Sequence, residues 1–290
     1  MMDNRNKPFV LVRGAGDIAT GVIQKLLHSG MDVIACETAH PSAIRRYVAL
    51  CEAVYEGRWQ VEDIIGIKAL DLDDCKRILT LNHKEKKIEK TYQMPIIIDS
   101  QLELLKQEKP DILIDAILAK KNLGTQMDMA FGTIALGPGF SAGKDVKIVI
   151  ETMRGHDLGR LIFEGPAMQN TGTPGIIAGY GKERVIHSPA TGAFYGIHKI
   201  TDMVDKGEII GKIGDVQVTA SISGIIRGMI RDGYMVSQGF KIVDIDPRHE
   251  QKKNCFTISD KARTIGGAAL EAVMILLGTM NLKSDNTIKK

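Results

Sequence analysis

The fold of the chain is decided near its start by residues 9–27, which read FVLVRGAGDIATGVIQKLL. The run Phe9–Val12 is short and continuously apolar, which is typical of a strand buried on both faces of a sheet. Gly14 and Gly16 follow it, and apolar residues then recur at helical spacing over 18–27. The stretch therefore predicts a strand, a tight glycine turn and a helix.

A second apolar strand is predicted at Val33–Cys36, and Glu37 follows it, 21 positions after Gly16. A βαβ pattern with a G-x-G-x-x-A turn is typical of dinucleotide sites, where a pyrophosphate approaches the helix N-terminus and the acidic residue bonds to a ribose diol. We therefore expect a nucleotide or dinucleotide to bind at Gly14, Gly16, Asp17 and Glu37. Glu37 favours NAD over NADP, because a carboxylate repels a 2′-phosphate. Asp17 opposes this hypothesis, since its charge repels a phosphate at the helix N-terminus, and a turn with an unused phosphate site stays open.

Four more apolar runs predict further strands in the first half of the chain. They lie at Pro95–Asp99, Ile112–Ile117, Thr133–Leu136 and Val146–Ile150. Apolar strands that alternate with helices are typical of α/β proteins with a mainly parallel sheet, so we predict a Rossmann-like parallel-sheet domain over residues 1–183. Because ligands bind at the carboxyl ends of parallel strands, the polar residues that end these strands are expected to share one rim.

Two glycine-rich loops predict an anion-binding part of this rim. The first contains Gly137 and Gly139, but its spacing departs from the P-loop pattern, so a kinase-like phosphate loop is not expected. A concave cluster of backbone N–H groups for some other anion stays open. The second loop carries Arg154, His156 and Arg160, which we expect either to bind a phosphate or pterin-type anion or to fix the turn by pairing with nearby carboxylates.

The composition is that of a soluble globular protein and excludes several classes. The 290 residues suggest about two domains, and 44% are hydrophobic against 25% charged. A net charge of +3 is too small for a nucleic-acid-binding protein, and no apolar run is as long as a membrane span. The four cysteines form no CxxC pair and lie near no histidines at zinc-site spacing. We therefore expect no metal site, reduced thiols and a cytoplasmic location.

An internal repeat with an offset of 32 residues marks a second domain. It relates Gly192 to Gly224 and Met203-Val204 to Met235-Val236 without a gap. Each copy predicts short strands around a Val-x-x-Gly turn and resembles half of a biotinyl or lipoyl barrel-sandwich hybrid, so a small all-β domain is expected over residues 184–250. The hairpin between the copies lacks the modifiable lysine of such carriers, so the domain is expected to pack or dock rather than carry a swinging arm.

The last segment, residues 251–290, predicts an apolar helix. Ser259 and Asp260 are suitable first residues, because a serine caps free N–H groups and an aspartate complements the helix dipole. The apolar face that follows must be covered, so we expect it to pack on the first domain or on a second subunit of a homo-oligomer.

Several motifs spread over nearly the whole chain carry a family resemblance. They are LVRGAGDIATG (11–21), AIRR (43–46), DAILAK (115–120), LGPGFSAG (136–143), ETMRGHDLGR (151–160) and SDKAR (259–263). With these motifs the chain resembles the YqeB-type accessory proteins of the selenium-dependent molybdenum hydroxylase system. The resemblance implies a cytoplasmic role in maturing a molybdenum hydroxylase, which would be the client partner. It supplies no catalytic residues, so these stay unknown.

Three hypotheses about function follow. The first is a maturation factor that binds a nucleotide, an NAD-type dinucleotide or a molybdopterin-type cofactor as a small anionic ligand at the rim, and docks its client through the β domain. The second is an NAD-dependent oxidoreductase with Lys120 or His156 as proton donor. The third is a scaffold without a ligand.

Overall fold

The computed structural model describes residues 7–84, 91–170, 172 and 175–288, and its largest feature is a nine-stranded sheet. In chain order the strands of the first half are β1 (Phe9–Arg13), β2 (Asp32–Glu37), β3 (Arg58–Val61), β4 (Ile64–Ala69), β5 (Tyr92–Ile98), β6 (Ile112–Asp115), β7 (Gly132–Leu136), β8 (Ser141–Ala142), β9 (Ile148–Ile150), β10 (Leu161–Ile162) and β11 (Gly165–Pro166). β8 and β11 pair with each other outside the large sheet.

The large sheet is mixed, with a parallel centre and antiparallel edges. Its strand order is β10-β9-β7-β6-β1-β2-β5-β4-β3. The pairs from β9 to β4 are parallel, whereas β10 and β3 each pair antiparallel at an edge. All five residues of β1 are buried, as its apolar run predicts for a central strand.

The helices cover both faces of the sheet. They are α1 (Asp17–His28), α2 (Ala53–Glu56), α3 (Leu72–Lys84) and α4 (Asp260–Ile288). Side chains of a strand alternate between faces. Val10 and Val12 of β1 accordingly join the core that contains α1 and α4 residues, while Phe9 and Leu11 join the core beneath α3.

Helix α4 packs against α1 through small residues. A Cβ atom on Gly266 would lie 2.3 Å from the carbonyl oxygen of Gly21, so the two helix backbones approach as closely as glycine permits. The helical segment His249–Met280 is long and apolar enough to cross a membrane, with a mean hydropathy of 1.3. Because Ala262, Ile265 and other residues of this segment are buried against α1 and the sheet, we interpret it as a core helix.

The second half of the chain forms a small β unit, which we define as residues 185–246. Its strands are β12 (Val185–His187), β13 (Gly192–Gly196), β14 (Met203–Val204), β15 (Ile209–Ile213), β16 (Val216–Thr219), β17 (Gly224–Met229), β18 (Met235–Val236) and β19 (Lys241–Asp246). They form two antiparallel sheets of order β12-β19-β17-β14 and β16-β15-β13-β18 around one apolar core. The 32-residue repeat relates the strands in pairs, such as β13 to β17 and β15 to β19.

The predicted fold class is wrong in both of its parts. The large sheet is not a Rossmann-like parallel sheet, because both of its edges are antiparallel and two connections between its parallel strands contain no α-helix. The connections from β5 to β6 and from β6 to β7 contain 3-10 turns, at Glu103–Lys106 and Met127–Met129, where a parallel doubly wound fold would place helices. No comparison supports the predicted biotinyl/lipoyl-like barrel for the small β unit, whose described strands pair within two four-stranded sheets. The domain boundaries at 183 and 250 stay predictions.

Backbone contacts attach the small β unit to the large sheet. The N–H of Met229 donates to the carbonyl oxygen of Ile44 at 2.8 Å, and Nε of Arg46 donates to the carbonyl oxygen of Met229 at 2.8 Å. Arg231 of the unit donates to the buried carboxylate of Glu52 at 3.0 Å. These contacts hold one face of the unit over the carboxyl ends of β1 and β2 and enclose a cleft.

Candidate functional site

The cleft between the large sheet and the small β unit has a volume of about 1180 Å³. Residues from the ends of β1, β2 and β6 line one wall, and residues of β12, β17 and β19 line the other. Ligand sites in open α/β sheets lie at the carboxyl ends of the strands, and the cleft lies at that edge. It is therefore the candidate functional site.

The glycine turn lies in the cleft, and the N–H groups of Gly14 and Ala15 are already bonded within the protein. Gly14 has φ +101°, a conformation that favours glycine. The Ala15 N–H that follows donates to Oε1 of Glu37 at 2.9 Å, and the Thr38 N–H donates to Oε2 of the same carboxylate at 2.7 Å. Burial raises the pKa of Glu37, and these hydrogen bonds oppose the rise. The carboxylate of Glu37 thus accepts hydrogen bonds from its own backbone turn, which are the bonds that a ribose would otherwise replace.

The helix N-terminus beside this turn is also occupied by a carboxylate. Asp17 begins α1 and forms an ion pair of 3.1 Å with Nη1 of Arg45. Nη2 of Arg45 donates to the carbonyl oxygens of Asn254 and Thr257, so this arginine joins the turn to the segment before α4. Asp17 and Glu37 therefore put negative charge at the turn where a pyrophosphate and a ribose would bind. This charge disfavours the predicted NAD-type site.

The glycines of the first predicted anion loop have packing roles. A Cβ atom on Gly137 would lie 2.4 Å from the Cβ of Ala167, and one on Gly139 would lie 2.5 Å from the backbone nitrogen of Lys121. Pro138 between them lines the cleft, whereas neither glycine does. The close approach of backbones explains these glycines without a ligand.

The structure separates the cationic residues of the second loop. Arg154 lines the cleft and forms an ion pair of 2.8 Å with Asp260 at the start of α4. Arg160 pairs with Asp157 at 2.8 Å on the surface, and His156 is exposed, both outside the cleft lining. Five of the predicted site residues thus share the cleft, namely Gly14, Gly16, Asp17, Glu37 and Arg154. Whether any of them binds a ligand stays a prediction.

The small β unit contributes cations that the sequence analysis missed. Arg227 and Lys241 of this unit, together with Lys261 of α4, line the cleft, and none has an ion pair or side-chain hydrogen bond to the part of the chain that the structure describes. Nε of Arg227 is buried without any partner. Burial lowers the pKa of Arg227, Lys241 and Lys261, because a low dielectric disfavours the charged form.

Two β-bulges aim Arg227 and Lys241 at the cleft. Between β17 and β19, Ile226 pairs with Ile245 and Gly228 with Asp244, so Arg227 is the extra residue of a bulge. Between β12 and β19, Ile186 pairs with Val243 and His187 with Lys241, so Ile242 is the extra residue there. A bulge redirects the side chains that follow it and is common beside functional sites. Periodicity of the sequence carries no sign of either bulge.

One sequence signal could have found the site, namely divergence between the two repeat copies. At the 32-residue offset Arg227 corresponds to Tyr195, Lys241 to Ile209 and Asp244 to Lys212. Within residues 192–246, only residues of the second copy line the cleft. Charged residues that appear in one copy of a duplicated scaffold indicate a role that the other copy lacks.

Neither a metal cluster nor an exposed thiol is found within residues 7–84, 91–170, 172 and 175–288. No group of three or more His, Cys, Asp or Glu that could hold a metal ion lies in these ranges. The four cysteines are free and buried, and burial raises the pKa of each thiol, that of Cys75 to about 12. A thiol with a raised pKa is a weak nucleophile near neutral pH.

Comparison with curated proteins gives one relative. No protein-family model matches the chain. The chain is 46% identical over 268 residues to "Uncharacterized protein YqeB" of Escherichia coli (strain K12). It is similar to YqeB along most of its length. The match covers 92% of this chain but 48% of that protein, so the chain spans about half the length of the relative.

The chain also has weak similarity to solved structures of acylases. A succinylglutamate desuccinylase/aspartoacylase from Rhodobacter sphaeroides is 16% identical with a TM-score of 0.26, over 84% of this chain and 86% of that one. The ectoine utilization protein EutE (DoeB) from Ruegeria pomeroyi is 13% identical with a TM-score of 0.24, over 82% and 85%. An aspartoacylase family protein from Mesorhizobium loti is 13% identical with a TM-score of 0.25, over 84% and 86%. Scores this low carry no argument about the activity of this chain.

The predicted function is wrong. The curated relative is uncharacterized and the solved structures named above are too dissimilar to carry an argument, so no comparison supports a maturation factor for a selenium-dependent molybdenum hydroxylase. The NAD-dependent oxidoreductase is wrong as well, and Glu37 and Asp17 give the physical reason, since they fill the dinucleotide turn. The nucleotide-binding interpretation is wrong for the same reason, and no comparison supports a scaffold without a ligand.

Proposed function

We propose that the protein binds a small molecule with two or more negative charges in the cleft, and that Arg227 is its central contact. Buried charges in proteins are paired or bind ligands, because an isolated buried charge is strongly destabilising. Arg227 has a buried Nε without a partner and a guanidinium without an ion pair. This observation carries the proposal. A guanidinium offers a planar fork of donors that matches a carboxylate or phosphate group.

The charge balance of the cleft supports an anion of more than one charge. Eight Lys or Arg residues line it against four Asp or Glu, counted over the described residues. The four carboxylates are all engaged. Asp17 pairs with Arg45, Asp244 pairs with Arg184, and Glu37 and Glu151 accept backbone N–H groups. The unpaired cations therefore leave a net positive field for the ligand.

Isothermal titration with citrate and with inorganic pyrophosphate, in a buffer of low ionic strength, tests the proposal. A hydrogen bond to a charged group contributes about 1.5–3 kcal/mol, so Arg227→Gln should weaken binding roughly 10- to 100-fold. Lys212→Gln is the matched control, because Lys212 is exposed on β15 outside the cleft. Absence of binding for both anions, or equal weakening by the two variants, would refute the proposal.

We also propose a cytoplasmic location. The four cysteines are all free and form no disulfide with one another. Free thiols persist where glutathione and thioredoxin keep the compartment reducing.

A further inference from the structure

Lys241 and His187 lie side by side on the cleft wall. They are directly opposite each other in the antiparallel pair of β12 and β19, where Cβ atoms of such residues are about 4.5–5.5 Å apart. The bulge at Ile242 turns both away from the core that Ile186 and Val243 share. Both side chains line the cleft.

Neither side chain is committed to another group of the described chain. Lys241 and His187 make no side-chain hydrogen bond or ion pair there. Asp244, the carboxylate that acts most strongly on Lys241, is already bound to Arg184. A half-buried lysine amine without a partner, beside an unpartnered imidazole, has the parts of a nucleophile and a proton carrier.

The charges around Lys241 favour its neutral amine. Burial lowers the pKa of Lys241, and the guanidinium groups of Arg184 and Arg227 act in the same direction, while Asp244 and Asp17 oppose them. Only a neutral amine attacks a carbonyl carbon. Lys261 has a lowered pKa as well, but it lies on a different element, in the first turn of α4 beside Asp260.

We propose that Lys241 forms an imine with a small 2-oxo carboxylate whose carboxylate is held by Arg227. This inference deepens the anion site proposed above and rests on it. Nζ of Lys241 attacks the keto carbon, and a C–N bond forms as the C=O π electrons move to oxygen, which takes up a proton. That proton comes from the nitrogen. His187 donates a second proton to the resulting hydroxyl, which leaves as water as the C=N bond forms, and His187 recovers its proton from the nitrogen. The carbonyl oxygen and the two amine hydrogens together make up the water that is released.

Reductive trapping tests the inference on the whole protein. The chain is incubated with pyruvate and cyanoborohydride, and the adduct is located by peptide mass mapping. We expect one adduct per chain at Lys241, and we expect acetone, which lacks the carboxylate, to label it far more slowly. Lys241→Arg keeps the charge but has no nucleophilic amine, so it should abolish the adduct. His187→Ala should slow trapping by about 100-fold, as is usual when a general acid is lost.

The controls separate this inference from the anion site. Lys212→Arg should trap pyruvate as the unaltered chain does, because Lys212 lies outside the cleft. Labelling spread over surface lysines, or an undiminished adduct in Lys241→Arg, would overturn the inference. Citrate binding that depends on Arg227 without any pyruvate adduct would refute the imine alone and leave the anion site standing.

Discussion

The contact between α1 and α4 predicts opposite effects for two adjacent glycines. A Cβ atom on Gly266 would lie 2.3 Å from the carbonyl oxygen of Gly21 and 2.8 Å from its carbonyl carbon, both backbone atoms that cannot rotate away. On Gly267 a Cβ atom would meet nothing within 4 Å. Alanine in either place gains the same helix propensity, about 1 kcal/mol over glycine. The difference between Gly266→Ala and Gly267→Ala therefore isolates the steric conflict.

The magnitude follows from these two terms. Overpacking against a rigid neighbour raises the free energy of the folded state by about 1–3 kcal/mol, so Gly266→Ala should be destabilised by up to about 2 kcal/mol after the gain in propensity. Gly267→Ala should be stabilised by about 1 kcal/mol. Each kcal/mol shifts the Tm of a chain of this size by about 2–4 °C, so thermal unfolding followed by circular dichroism resolves the pair. Equal Tm values would refute a backbone contact between α1 and α4.

Two further predictions concern ion pairs. Hydrogen bonds from Arg154 hold the pKa of Asp260 well below its usual range, so stability from this pair is present above the unfolded pKa of about 3.9 and is lost as the pH falls through the folded value. The pair is largely exposed and contributes below about 1 kcal/mol of stability. In Asp260→Asn the Tm should therefore fall less steeply below about pH 5 than in the unaltered chain. Parallel curves of Tm against pH for the two proteins would contradict the pairing. Arg231→Met leaves the buried Glu52 with Arg46 at 3.7 Å and should destabilise by about 3 kcal/mol near pH 8. Burial raises the pKa of Glu52, so this carboxylate can take up a proton in acid. The loss of unfolding free energy, measured in urea, should therefore be smaller near pH 5 than near pH 8. An equal loss at both pH values would argue against a role for the charge of Glu52.

Local elements were predictable from the sequence, because a single segment determines them. The apolar run at 9–12 lies in β1, the helical spacing over 18–27 lies in α1, and the run at 33–36 lies in β2. The fold class was not predictable from the sequence, because it depends on which strands form the edges of the sheet. β3 and β10 pair antiparallel with their neighbours, and their short sequences contain no pattern that distinguishes this pairing from a parallel one.

The candidate site was predictable only on one wall. The glycine turn and Glu37 lie in the cleft, as predicted for a ligand site. The Ala15 N–H, however, donates to the carboxylate of Glu37 and not to a ligand. A carboxylate 21 residues downstream satisfies the dinucleotide pattern whether it faces a ribose or folds back onto the turn, so spacing cannot separate the two. The other wall depends on bulges, which shift the register by one residue and so reverse the faces that a period of two predicts.

Comparison of the two repeat copies indicates that Arg227 and Lys241 serve the proposed ligand rather than the stability of the fold. Tyr195 is 50% exposed in the first copy, while its counterpart Arg227 has a buried Nε in the second. Ile209 is partly exposed, and its counterpart Lys241 is half-buried in the cleft. Folding favours the reverse arrangement, with the apolar side chains covered and the cations in water. The same scaffold thus carries its apolar residues outward and its unpaired cations inward, which destabilises the empty cleft. An anion that pairs with Arg227 would remove that destabilisation, so ligand binding should raise the stability of the whole chain.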